Sequence, residues 1–187
     1  EKFGFISVSG RELLPTIFDD ASDYANNVAV VLTSNGYGLI NKRKGWALKD
    51  TFDLITTTEN KKYLVVQMKS IFYLWNNDKL LDYAFKNINR SVYNDRMIIQ
   101  TGSGKFSLFY VPSEQFVSRG FEEINYLQEG LYVVKRDRKG IIDFNGQKII
   151  PCNHSQIKCL TFGGYTRLIC TDSLGVKIFN SDGKLWV

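Results

Sequence analysis

Apolar positions along the chain fall in short runs of four to eight residues, broken by Gly, Asn, Asp and Ser. In "GIIDFNGQKIIP" (residues 140–151) two such runs flank Asn145-Gly146. Asn-Gly accepts the positive φ values that a tight two-residue turn requires, so the segment predicts a β-hairpin. "SDGK" at Asp182-Gly183 and "SNGY" at Asn35-Gly36 carry the same signal. The runs are rich in Val, Ile, Phe and Tyr, the side chains that suit a pleated, half-buried surface. No stretch holds a 3.6-residue period over helical length, and there are only three prolines. The pattern predicts an all-β chain.

The runs also repeat. "GFISVSGRELLP" (residues 4–15) has the same order of apolar, turn and polar positions as residues 140–151. Weaker copies read "YGLINKRKGWALKD", "FYLWNNDKLLDY", "FSLFYVPSEQFVS" and "LGVKIFNSDGKLWV". The Gly4 position recurs at Gly38, Tyr73, Ser107, Gly140 and Gly175, a period of about 34 residues. An apolar quartet keeps the same spacing: "VAVV", "YLVV", "RMII", "LYVV" and "TRLI". So does an aromatic followed by polar residues, at Phe18, Phe52, Phe85 and Phe121, with His154 in the fifth copy. We expect four short antiparallel strands per unit: the strand after the aromatic, the quartet, the "GFI" strand and the "ELLP" strand. The expected division is one repeat domain over 1–187, with a partial unit 1–17 and full units at about 18–51, 52–84, 85–120, 121–153 and 154–187. One such unit cannot bury its apolar face alone, so neighbours must stack. Blades of a β-propeller satisfy this, and so does an open superhelical stack of small sheets. The surplus strands at the start either patch an edge or continue a unit that begins before Glu1.

The unit resembles the bacterial WG-repeat (KWG-repeat) family. The pattern of that family is matched best by "EGLYVVKRDRKGIIDFNGQKIIP", through Gly130, Leu131, Val133, Gly140, Ile142, Asp143, Gly146, Lys148 and Pro151. Next comes the first copy, through Phe3, Gly4, Ile6, Gly10, Pro15, Phe18 and Asp19. The name-giving Trp-Gly is absent from every copy; its Trp position carries Phe3, Tyr37, Phe72, Phe106, Lys139 and Leu174. From the repeat itself we favour the propeller-like arrangement over the open stack; the resemblance implies a bacterial repeat protein, non-enzymatic, used for binding or assembly.

Composition sharpens this only a little. The chain is 44% hydrophobic and 23% charged, as soluble globular domains are, and no run approaches the length of a membrane-spanning helix. It starts without Met and without a signal peptide pattern, which we read as a mature form, a fragment or an excised domain. The compartment stays open, exported or cell-surface as much as cytoplasmic. Cys152, Cys159 and Cys170 have no CxxC spacing and read as packed free thiols. Net charge is +5, which argues steering toward polyanions rather than any fold.

The search for chemistry returns no catalytic constellation, no cofactor motif and no metal-ligand spacing. His154 is the only histidine and occupies an aromatic slot. "GSGK" (residues 102–105) lacks the spacing of a phosphate loop. Asn89 and Asn153 head glycosylation sequons that we expect to be silent. Aromatic residues, 14% of the chain, recur at equivalent positions and predict packing between sheets. What remains is a candidate contact patch: the basic turns Lys42, Arg43 and Lys44 beside Trp46, and Lys135, Arg136, Arg138 and Lys139. The first turn joins the third strand of a unit to the fourth, the second joins the second to the third. The expected function is a non-catalytic module that binds or scaffolds a protein partner, within a longer chain. Polyanion binding, to nucleic acid or an acidic glycan, is the first alternative; a carbohydrate-binding propeller is the second.

Overall fold

The computed structural model describes residues 1–187 apart from Asn26, Lys44, Asn77 and Val187. Among the described residues there is no helix; strands form six antiparallel sheets in tandem. Sheet 1 is the hairpin β1 (Phe3–Ile6) and β2 (Glu12–Phe18). Sheet 2 holds β3 (Asp20–Ala21), β4 (Val28–Thr33), β5 (Gly36–Asn41) and β6 (Gly45–Phe52). Sheet 3 holds β7 (Leu54–Thr57), β8 (Leu64–Met68), β9 (Ile71–Asn76) and β10 (Lys79–Leu80). Sheet 4 holds β11 (Asn87–Tyr93), β12 (Arg96–Gln100), β13 (Phe106–Tyr110) and β14 (Gln115–Phe121). Sheet 5 holds β15 (Glu123–Gln128), β16 (Leu131–Lys135), β17 (Lys139–Asp143) and β18 (Lys148–His154). Sheet 6 holds β19 (Gln156–Phe162), β20 (Tyr165–Asp172) and β21 (Gly175–Asn180), with Leu185 bridged to Phe179. Sheets 2 to 5 pair their strands in chain order, the four-stranded meander expected of a propeller-like unit. The chain forms two compact units, Glu1–Phe85 with sheets 1 to 3 and Lys86–Val187 with sheets 4 to 6.

Why the period exists is visible in the hydrogen bonds. Each recurring aromatic ends a sheet, and the next residue opens the following one. Asp19, Asp53, Lys86, Glu122 and Ser155 each donate a backbone N–H to the second strand ahead, on Leu32, Gln67, Gln100, Lys135 and Thr171 respectively. Phe18, Phe85, Phe121 and His154 are buried at these junctions.

The anchor glycine has a steric cause. In sheets 1, 2 and 5 the ladder skips Gly4, Gly38 and Gly140, and the fourth strand bulges opposite them. The bulged strand then lies so close that a Cβ on Gly140 would sit 2.7 Å from Ile150 O and 2.8 Å from Cys152 N. Gly4 faces Leu14 O and Gly38 faces Leu48 O, each at 2.9 Å. Sheet 4 carries Ser107 instead, and there the bulge of β14 is one residue shorter, with Gly120 at φ 81° inside it.

Alternation along the third strand builds the stacking. The residue after the anchor packs toward the following sheet: Phe5, Leu39, Leu108 and Ile141. The one after that packs toward the preceding sheet: Ile40 on sheet 1, Trp75 on sheet 2 and Ile142 on sheet 4. In the first unit the cores therefore lie between sheets 1 and 2 and between sheets 2 and 3; in the second, between 4 and 5 and between 5 and 6.

One expected register is corrected. Gly175 is not the sixth anchor. Val31 pairs Gly38 and Val134 pairs Gly140, and the equivalent Cys170 pairs Lys177. Gly175, at φ 127°, is the turn residue that matches Gly36 at φ 129°. The cause is a longer β19–β20 hairpin, which stays in register out to Phe162 and Tyr165 around Gly163-Gly164. The quartet of that copy accordingly shifts by one residue and ends at Cys170, not Ile169.

Candidate contact surfaces

The basic turns are formed where the sequence places them, and their cations are largely engaged locally. Lys135 Nζ lies 3.6 Å from Glu122 Oε2, and Lys105 Nζ lies 3.5 Å from the other oxygen of the same carboxylate. Arg136 stacks over the Phe121 ring at 4.9 Å. Arg138 donates to Asn153 O at 3.2 Å. Lys139 is half-buried opposite His154. This cluster braces the junction between sheets 4 and 5 through Phe121 and Glu122, and the end of sheet 5 through Asn153 and His154, as much as it decorates a surface. Lys42 and Arg43 are exposed in the β5–β6 turn, where Arg43 N–H is held by Asn41 Oδ1. Lys44 lies outside the described residues. Trp46 is exposed on one side, but its ring meets Phe18 edge-on at 6.1 Å and covers Gly38. The structure thus gathers Lys42, Arg43 and Trp46 at one turn of the first unit and Lys135, Arg136, Arg138 and Lys139 at one turn of the second.

The titratable groups are packed. His154 is buried, edge-on to Phe179, with Nδ1 3.4 Å from Asp172 Oδ2. Burial pushes all three cysteine thiols up, Cys170 to about 11. A thiol held protonated is a poor nucleophile and a poor metal ligand. Among the described residues no three His, Cys, Asp or Glu side chains gather as metal ligands.

The surface that sequence reasoning missed is the outer face of sheet 6. Leu160 (57% exposed), Phe162 (90%), Tyr165 (67%) and Trp186 (55%) line it with Arg167, Ile169 and Ile178. They enclose an apolar hollow of about 350 Å³. Arg167 is flanked by Tyr165 and Trp186 at 5.5 and 5.0 Å from the ring centroids. Trp75 and Trp186 both read in sequence as core or edge residues; Trp75 proves to be core, facing the preceding sheet, while Trp186 lies on the outer face of sheet 6. A signal was present: the β19–β20 run is longer than its equivalents in the other units and carries Leu160, Phe162 and Tyr165 together.

The geometry of the first repeat, with Phe3 paired to Phe18 and Gly4 under a bulged fourth strand, is the decisive local feature. Residues 3–36 match the WG containing repeat. That match covers one period, from β1 to the β4–β5 turn. No curated protein sequence matches the chain. Among solved structures, the chain is similar to Hsv2p of Kluyveromyces lactis at 14% identity and TM-score 0.40, covering 90% of this chain and 62% of that one. The WD40 β-propeller domain of Doa1 is similar at 16% identity and TM-score 0.33, covering 90% and 66%. BamB from Moraxella catarrhalis is similar at 10% identity and TM-score 0.36, covering 89% and 59%. The chain therefore spans less than two-thirds of the length of each, and its architecture rests on its own sheets rather than on these likenesses.

Proposed function

We propose that the chain is a non-catalytic repeat module that binds protein. The observation that carries this reading is the uncovered apolar face of sheet 6. Contiguous exposed aromatic and aliphatic side chains around an arginine have the composition of an interface core. Phe162, Tyr165 and Trp186 are rigid, amphipathic or apolar groups of the kind that dominate binding energy, with Arg167 among them. The buried His154 and the protonated thiols support the non-catalytic half of the reading, because neither offers an accessible base or nucleophile. We assign the basic turn at residues 135–139 to holding the junctions at either end of sheet 5, given its contacts with Glu122, Phe121 and Asn153.

A photo-crosslinking amino acid at Phe162 tests this, with the exposed turn residue Ser103 as control. The expected result is discrete protein adducts from position 162 and none from 103. Adducts absent at 162, or equal at both positions, would remove the protein-binding reading.

A further inference from the structure

We propose that the cleft between β11 and β15 binds a neutral sugar through adjacent hydroxyl groups. This goes beyond the protein-binding reading and does not depend on it. The cleft has a volume of about 400 Å³, within the roughly 300–1,000 Å³ usual for small-molecule sites. It lies wholly inside the second compact unit, between sheets 4 and 5. Its floor is the buried Ile88, Ile98 and Ile124 with the half-buried Phe106, and its rim is polar. Stacking alone makes such a cleft, and the first unit shows the plain version. There a hollow of about 300 Å³ lies between sheets 2 and 3, lined at equivalent positions by Ala21, Val30, Tyr37 and Ile55. Strand pairing aligns Leu32 with Gln100, as partners of Asp20 and Asn87. It aligns Leu54 with Glu123, as partners of Gln67 and Lys135. Sheets 4 and 5 thus carry an amide and a carboxylate where the first unit carries leucines.

The rim amides are oriented by partners that leave no choice. Asn87 Oδ1 accepts the Ile88 N–H at 2.8 Å, and Asn89 Oδ1 accepts the Ser91 N–H at 3.0 Å. A backbone N–H can meet only the oxygen, so both side-chain NH₂ groups remain as donors. Gln100 Nε2 donates to Gly104 O at 2.9 Å, and Asn125 Nδ2 to Glu123 Oε1 at 2.6 Å. Their amide oxygens, with Glu123 Oε2, remain as acceptors. Strand β11 therefore supplies donors, Arg90 among them, while β12 and β15 supply acceptors. A bulge in β11 presents the donor side. Asn89, Arg90 and Ser91 oppose Ile98 alone, between the pairs Ile88–Ile99 and Val92–Met97. Strands β7 and β19 pair without such an interruption. Bulges re-aim side chains, and the bond from Ser91 N–H to Asn89 Oδ1 fixes this one.

These features select the ligand. Each hydroxyl of a sugar both donates and accepts, so two adjacent hydroxyls match a bank of donors facing a bank of acceptors. The C–H face of the ring suits the isoleucine floor, where its burial releases water from both surfaces. Charge argues against an ionic ligand. Among the described lining residues Arg90 is the one cation and Glu123 the one anion, so the cleft offers no net charge. A site already built from hydrogen-bonding groups rejects ligands that leave those groups unpaired.

Titration of the isotope-labelled chain with glucose, galactose, mannose and N-acetylglucosamine, up to tens of millimolar, tests this through amide NMR shifts. Glucuronate and glucosamine serve as charged probes. Gln100→Leu and Glu123→Leu are the separate variants. Both put leucine where the first unit already carries it, and circular dichroism verifies the fold. At least one neutral sugar is expected to shift residues 87–91, 98–100 and 123–125, and to bind more tightly than either charged probe. Each variant is expected to weaken that binding about tenfold. Ser22→Ala, in the hollow between sheets 2 and 3, is expected to leave it unchanged. A panel that shifts none of those residues overturns the proposal. So does binding left unchanged by either folded variant, or tighter binding of a charged probe.

Discussion

Cys170 sits buried in the core between sheets 5 and 6, and burial raises its thiol to about 11. Because the thiolate is the reacting species, a disulfide reagent at neutral pH should leave Cys170 unmodified in the folded protein. Titration with Ellman's reagent is expected to find Cys170 only after denaturant is added; fast native reaction at Cys170 would show the burial to be wrong. His154 was legible as an aromatic substitute because it falls on the period, and it does occupy the junction slot edge-on to Phe179. The stack of Arg96 between Tyr110 and Phe144 was not legible. It joins residues 48 apart in sequence through a backbone carbonyl, and no spacing rule encodes that.

For the individual strands and turns, the anchor glycine is a statement about the fourth strand rather than about its own. Gly140 is forced by the approach of Ile150 O and Cys152 N across the bulge. Gly140→Ala should therefore destabilise by about 1–3 kcal/mol, the usual cost of overfilling a packed site. A shift of the urea midpoint at unchanged slope would measure it, and no shift would show that β18 yields freely. Most strands and the places of the turns were readable, since alternation and turn residues are local. The turn type was not, because only the glycines of Asn145-Gly146 and Asp182-Gly183 take positive φ. The first of these loops spans Asp143 to Gln147, and Thr33 pairs with Gly36 so that Ser34 and Asn35 form the β4–β5 turn. The register of the sixth copy was misread because Gly175 meets the same local description as an anchor. Only the pairing of Cys170 with Lys177 separates a turn glycine from an anchor glycine.

At the scale of the whole molecule, stability is shared between neighbouring sheets, as in any linear repeat. Ile141 is buried in the core that joins sheets 5 and 6. Ile141→Ala is expected to cost about 2–5 kcal/mol through the cavity it leaves. Hydrogen exchange should show lost protection in β20 as well as in β17; loss confined to β17 would mean that the sheets are not coupled through this core. By itself the sequence determined the all-β class, the period, the turns and the aromatic junctions, because each is set by residues within a few positions of one another. The tertiary structure alone decided which cations are engaged and that Leu160, Phe162 and Tyr165 line one face of sheet 6 together. Those depend on which sheet covers which face, a contact between residues tens of positions apart.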